Sequence, residues 1–182
     1  WPLKPPAPRD EPAFLYLGGT SYVKGFSVLT RALELLGDRR YRVYMTRVSD
    51  TGGLPHVLRD RVVAVGVLPY GELPTLHSRV RALLFPSIWE EPLPYAVVES
   101  LLMGTLPIAS RVGGVPEAVE GSPAQGYLFE PGDARELAGK MEEVMALERE
   151  DLIEIGHRLR EHALRRFDGN AIKESLTKVF LG

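Results

Sequence analysis

The sequence predicts an α/β fold: a Rossmann-like, doubly wound, mostly parallel sheet of six strands, with helices on both faces and further helices at the C-terminus. Short apolar segments alternate with segments of helical periodicity from Ala13 onward. The short segments are apolar throughout, which is typical of parallel strands that are covered on both faces. Because crossovers between parallel strands are right-handed, this alternation favours a doubly wound sheet.

Six segments have the length and apolar character of buried strands: residues 13–17, 41–45, 62–67, 82–85, 106–109 and 126–129. Helices are predicted between them over residues 24–36, 54–59, 73–80 and 95–103. The first of these has Phe26, Leu29, Leu33 and Leu36 at helical spacing, and Gly37 follows as a stop signal.

Three apolar stripes at helical spacing follow the last predicted strand. They lie within residues 137–145, 152–163 and 172–180. Stripes of this kind are most often the buried faces of helices, so we expect three packed C-terminal helices and no cofactor contact from them.

The chain divides into a linker and one domain. Residues 1–12 contain five prolines and are predicted to be an extended linker, and residues 13–182 are predicted to form the domain. The chain begins with Trp1, which indicates a piece of a longer protein. One Asn, one Gln and no Cys favour a thermophilic source, because heat-labile residues are depleted there.

Composition argues against several classes of protein. A net charge of −2 disfavours a nucleic-acid partner, and the absence of cysteine excludes disulfides, thiolate zinc sites and a cysteine nucleophile. The longest apolar stretch, residues 62–68, is too short to span a bilayer, and no signal peptide is visible, so we expect a cytoplasmic location. The histidine spacing does not suggest a metal site, and no G-x-G-x-x-G motif supports a dinucleotide.

Residues 85–114, FPSIWEEPLPYAVVESLLMGTLPIASRVGG, are the most informative segment. They read as a buried strand, a loop with Glu90 and Glu91, a helix carrying Glu99, a second strand and a Gly113-Gly114 turn. Carboxylates can bind a hydroxyl-rich ligand, and the free N–H groups of a helix N-terminus suit phosphate. A polyol and a phosphate on one surface suggest a sugar nucleotide.

This segment resembles the donor-binding motif of the group 1 retaining glycosyltransferases, which have the two-domain GT-B fold. Two glutamates eight residues apart are a weak signal, since Glu142 and Glu150 share that spacing. The ordered series of motif residues around the two glutamates is a much more specific signal for this family. Twelve positions match in register: Phe85, Pro86, Ser87, Glu91, Glu99, Gly104, Pro107, Ala109, Ser110, Gly113, Gly114 and Glu117.

The resemblance implies a nucleotide-sugar donor site. Glu91 would contact the sugar hydroxyls and balance charge at the anomeric carbon, and Glu99 would accept hydrogen bonds from the ribose. The helix start between them adds two donor-binding residues, Tyr95 and Ala96. Each glutamate also has a structural interpretation: Glu91 as a carboxylate at a helix N-terminus, and Glu99 as a solvent-facing helix position.

The remaining site residues follow the predicted first and third strands. Gly18 and Gly19, followed by Lys24, resemble the family's G-R-x-x-x-x-K-G segment, in which the lysine faces the diphosphate. Gly66 and Leu68 would contact the nucleobase. The Gly113–Gly114 turn would help to stabilise the departing diphosphate. Lys24 could instead be an ordinary exposed lysine.

Three departures from the family pattern stand out. Gly19 replaces the family's arginine, so one of two cations expected for the leaving diphosphate is missing unless Arg47 or Arg111 supplies it. Pro94 stands where the family usually has glycine. Thr46-Arg47 replaces a glycine-rich turn after the second strand.

The resemblance therefore implies the C-terminal, donor-binding half of a retaining, hexosyltransferase-like enzyme whose acceptor-binding N-terminal domain is absent. We expect no metal or other cofactor, and no transfer by the isolated domain. Peripheral membrane contact of the full enzyme stays open. Two alternatives remain: half of a sugar-nucleotide epimerase, and a non-catalytic scaffold domain derived from the GT-B fold.

Overall fold

A computed structural model describes residues 11–169 and contains one sheet of six strands, all parallel, in the order β3-β2-β1-β4-β5-β6. The strands are β1 (Ala13–Tyr16), β2 (Arg42–Thr46), β3 (Val62–Gly66), β4 (Ala82–Phe85), β5 (Leu106–Ser110) and β6 (Leu128–Phe129). The predicted doubly wound α/β fold is confirmed, and β4 has the predicted bounds.

Seven α-helices accompany the sheet in the described part of the chain: α1 (Phe26–Leu35), α2 (His56–Arg59), α3 (Leu73–His77), α4 (Tyr95–Leu102), α5 (Val115–Val119), α6 (Ala134–Ala146) and α7 (Arg149–Arg166). The sequence did not predict α5, which has five residues and a proline in its first turn. The helix predicted over residues 172–180 and most of the predicted linker lie outside the described residues.

Side chains alternate across the sheet to form two apolar clusters. Phe14 and Tyr16 of β1 belong to the larger cluster, which includes buried residues of α1, α6 and α7. Ala13 and Leu15 belong to the smaller cluster, together with apolar residues of α3. Both faces of β1 are therefore buried, which explains why the strand reads as an unbroken apolar run. Between residues 11 and 169, no helix is long and apolar enough to cross a membrane.

The strand order reverses between β1 and β4, and this is what positions the site. These two strands are adjacent, with Tyr16 paired to Leu84 in the parallel register. Their carboxyl ends meet at one edge of the sheet, and the loops that follow leave the sheet side by side. In open α/β sheets ligands bind at such a switch point.

His77, at the end of α3, makes stability depend on pH. It is 3% exposed, and neither ring nitrogen has a hydrogen-bond partner among the described residues. Burial lowers the pKa of His77 from 6.5 to about 4. The unfolded chain therefore binds a proton in a range of pH where the folded chain does not, and stability falls as the pH drops through that range.

We expect the free energy of unfolding to fall by about 3 kcal/mol between pH 6.5 and pH 4 because of His77. His77→Leu should remove this part of the pH dependence, and His157→Leu, at an exposed histidine, should leave it in place. Urea unfolding at a series of pH values measures both. An unchanged slope in the His77 variant would show that other groups cause the acid sensitivity.

Candidate functional site

A pocket of about 380 Å³ opens at the carboxyl ends of β1 and β4. Lys24, from the loop after β1, and Glu91, from the loop after β4, meet in its wall. The Nζ atom of Lys24 lies 2.6 Å from Oε1 of Glu91, with side chains 42% and 18% exposed. Two residues that are 67 positions apart thus form an ion pair at the switch point of the sheet.

The backbone around Lys24 is fixed by contacts with β1 and with the loop after β4. The buried Tyr16 hydroxyl donates a hydrogen bond to the Lys24 carbonyl at 3.2 Å. Burial raises the pKa of Tyr16, so its hydroxyl stays a neutral donor. Gly25 has a φ of 76°, and a Cβ atom there would lie 1.7 Å from the Pro86 carbonyl oxygen. The two loops touch through backbone, and only glycine fits between them.

Glu91 is held from two sides. The Ser87 hydroxyl lies 3.2 Å from its Oε1 atom and 3.1 Å from the carbonyl oxygen of Val23, so it can donate to either. The N–H of Gly114 donates to the Glu91 carbonyl at 2.9 Å. This network holds the carboxylate next to Lys24 before any ligand arrives.

The Gly113–Gly114 turn is engaged with the loop that carries Glu91. The N–H of Gly113 donates to the Glu90 carboxylate, and that of Gly114 donates to the Glu91 carbonyl. The resemblance implied that this turn would help to stabilise the departing diphosphate, but both of its N–H groups are used inside the protein. The turn acts here as a support for the glutamate loop.

A second pocket, of about 390 Å³, lies beside the first at the ends of β2 and β3. It is lined by Leu68 and Tyr70, among others. The Tyr70 hydroxyl donates to Oε1 of Glu99 at 2.7 Å, and this hydrogen bond raises the pKa of Tyr70. The carboxylate predicted for the ribose thus lies at the edge of this pocket, bonded to a tyrosine of its wall.

The predicted site residues divide into three groups. Gly18, Lys24, Glu91, Tyr95 and Ala96 line the first pocket. Leu68 lines the second. The three others are not lining residues of either pocket: Gly19 packs on the Arg47 side chain, Gly66 pairs with the backbone of residues 47–48, and Glu99 binds Tyr70.

Two residues of the site, Ser87 and Tyr70, have no role predicted from the sequence. Ser87 lies in the motif register, where a hydroxyl four residues before Glu91 was an available signal. Tyr70 carried no comparable signal, because nothing local indicates that its hydroxyl reaches a carboxylate on α4.

The structure distinguishes the two arginines considered as replacements for the missing cation. Arg47 lines both pockets. Arg111 pairs with Glu130 at 3.0 Å and lines neither of them. Within residues 11–169, no group of three His, Asp or Glu side chains is placed to hold a metal ion.

The family of the chain follows from a match over most of its length. Residues 2–163 match the family model described as glycosyl transferases group 1. The chain belongs to the group 1 glycosyltransferases. Its parallel sheet and the pocket at the switch point are thus those of a glycosyltransferase domain.

Curated relatives agree with this assignment. The chain is 35% identical over 111 residues to the 2-deoxystreptamine glucosyltransferase of Streptomyces kanamyceticus, covering 61% of this chain and 27% of the relative. It is 33% identical over 127 residues to the glycogen synthase of Thermus thermophilus, covering 65% of this chain and 28% of the relative. The chain thus spans little more than a quarter of either relative, and its thermophilic source stays a prediction.

Several solved structures share the fold. The glycosyltransferase of Rickettsia africae has a TM-score of 0.77 at 22% identity, and the match covers 94% of this chain and 48% of that protein's chain. The sucrose-phosphate synthase of Thermosynechococcus elongatus has a TM-score of 0.74 at 25% identity, and the match covers 96% of this chain and 46% of that protein's chain. Anabaena HepE, solved in complex with UDP-glucose, has a TM-score of 0.75 at 22% identity, and the match covers 93% of this chain and 48% of that protein's chain. Coverage of about half of each is consistent with the predicted C-terminal placement.

Proposed function

We propose that this chain binds a nucleoside-diphosphate sugar and serves as the donor-binding half of a retaining glycosyltransferase. The observation that carries the proposal is the Lys24–Glu91 pair, a cation and a carboxylate side by side in the wall of an open pocket. A diphosphate needs the cation, and a sugar hydroxyl needs the carboxylate as hydrogen-bond acceptor. One ligand in this pocket would contact both groups.

The second pocket supports a position for the nucleoside. Leu68 gives it an apolar wall, and Glu99 stands at its edge, where ribose hydroxyls could replace the Tyr70 hydroxyl as donors. The donor would then lie across both pockets, with its diphosphate at their junction and its sugar against Glu91. Tyr95 and Ala96, at the start of α4, would border the sugar and phosphate side.

In the intact enzyme this arrangement would transfer the sugar to an acceptor hydroxyl with retention of anomeric configuration. Lys24 would stabilise the negative charge that develops on the departing diphosphate, and Glu91 would orient the sugar and balance charge at its anomeric carbon. The proposed roles require no metal.

The acceptor site is expected on the other half of the enzyme. We therefore propose that this chain alone binds donor without transferring sugar. We also propose that the full enzyme acts in the cytoplasm.

A single titration series tests the proposed donor site. The 182-residue chain is titrated by calorimetry with UDP, ADP and GDP and with their glucose conjugates, and Glu99→Ala is titrated alongside. We expect one base to bind, and Glu99→Ala to weaken it about tenfold or more, because the ribose loses a charged acceptor.

Tyr70→Phe is the matched control, because it removes the present partner of Glu99 and keeps the carboxylate. Its nucleotide affinity should equal or exceed that of the unmodified chain. No binding of any nucleotide at millimolar concentration would contradict the proposed donor site and favour a scaffold domain. Equal losses in both variants would show that the Tyr70–Glu99 bond is structural.

A further inference from the structure

The two pockets share two wall residues, Leu17 and Arg47. Arg47 lies at the turn after β2 and its side chain is exposed. A ligand that extends from Lys24 and Glu91 in the first pocket to Leu68 in the second must therefore pass Arg47. This places Arg47 at the junction of the two pockets on the proposed donor path.

The backbone at Arg47 is held in an unusual conformation. Its φ is 60°, and it is the one residue other than glycine with a positive φ in the described range 11–169. The N–H of Arg47 donates to the carbonyl of Gly66, and the N–H of Gly66 donates to the carbonyl of Val48 at 2.8 Å. Left-handed backbone is unfavourable for a residue with a Cβ, so the surrounding fold imposes this turn, as is common at ligand sites.

Gly19 makes room for the arginine side chain. It is buried in the loop after β1, and a Cβ atom there would lie 3.1 Å from the Cβ atom of Arg47. A long side chain at residue 19 would compete with the Arg47 stem for this space. The glycine after β1 and the arginine after β2 are thus complementary in shape.

The side chains around the junction carry a net positive charge, which favours an anionic ligand. The first pocket is lined by two cations, Lys24 and Arg47, and by one carboxylate, Glu91, which already pairs with Lys24. Within residues 11–169, the Arg47 side chain makes no hydrogen bond or ion pair with another residue. Its five N–H donors are available to a ligand, and a guanidinium can bind two phosphoryl oxygens at once.

We propose that Arg47 is a donor-binding residue that clamps the diphosphate at the junction of the two pockets, opposite Lys24. This rests on the proposed function, because it assumes that the donor lies across both pockets. Arg47 supplies the second cation from the turn after β2, and Gly19 leaves room for its side chain. The clamp recognises the diphosphate and contributes little to binding of the base or the sugar.

Arg47→Gly is the most informative variant, because glycine accepts a φ of 60° and the fold should be retained or stabilised. Calorimetry with the nucleoside diphosphate that binds, and with its monophosphate, measures the clamp. We expect the diphosphate to bind about ten- to hundredfold more weakly and the monophosphate to lose less. Arg47→Lys keeps the positive charge but loses the planar guanidinium, so its affinity for the diphosphate should lie between those of the unmodified chain and Arg47→Gly. Arg111→Gly should bind the diphosphate as tightly as the unmodified chain does.

The outcomes separate this proposal from the function on which it rests. If Arg47→Gly binds the diphosphate normally while Glu99→Ala weakens it, the donor site stands and the Arg47 clamp is wrong. Equal losses for monophosphate and diphosphate would also overturn the clamp, because the loss would then not report the second phosphoryl group. If the unmodified chain binds no nucleotide, both proposals fail together.

Discussion

Gly25→Ala should destabilise the protein by about 3–5 kcal/mol, from left-handed strain together with overpacking. The added Cβ would lie 1.7 Å from the Pro86 carbonyl oxygen, at a residue whose φ is 76°. The obstacle is backbone, so it cannot rotate away as a side chain could. A loss of this size is a large part of the stability of an ordinary domain, and urea unfolding followed by circular dichroism measures it.

Gly37→Ala provides the matched control. Gly37 also has a positive φ, 56°, but a Cβ atom there would meet nothing within 4 Å. Gly37→Ala should therefore destabilise the protein only by the strain of the left-handed backbone, about 1–2 kcal/mol. The difference between the two variants isolates the contact between the loops that carry Lys24 and Glu91. Equal losses would mean that these loops can separate, and that the pocket is less rigid than its geometry indicates.

The strands could be predicted because a strand that is buried on both faces is apolar at every position of its sequence. β4 is an example: all four of its residues are buried, and its bounds were predicted correctly. Helix ends were harder. The apolar spacing of Leu73, Leu76 and Val80 continues past the end of α3 at His77, because Val80 is buried although the backbone has already left the helix. A periodic pattern records burial and does not record backbone conformation.

The members of the site could be predicted in part, but their contacts could not. The motif register pointed to Lys24 and Glu91, yet no local pattern shows that residues 67 positions apart will pair directly. The positive φ of Arg47 occurs beside hydrogen bonds with Gly66 and a shift in the β2–β3 register at Met45 and Thr46. Such features arise from tertiary structure, so the sequence left open whether Arg47 or Arg111 reaches the pocket.

Lys24→Met and Glu91→Gln should change the affinity for a free nucleoside diphosphate in opposite directions. Lys24→Met removes a cation from the proposed diphosphate site and should weaken binding about ten- to hundredfold. Glu91→Gln removes the carboxylate that holds Lys24 at 2.6 Å, so the lysine becomes free for the ligand. The pair is partly exposed and therefore weak, so the gain should be about two- to fivefold.

The glucose conjugate should respond differently, because Glu91 is proposed to bind the sugar as well as to restrain Lys24. In Glu91→Gln the conjugate should lose its advantage over the free diphosphate, since a neutral amide is a weaker acceptor for a sugar hydroxyl than a carboxylate. Glu90→Gln is the control: this neighbour binds the Gly113 N–H and does not line the pocket. Weaker binding of the free diphosphate in Glu91→Gln would show that the carboxylate shapes the pocket instead of competing for Lys24, and the sugar contact would then lose its support.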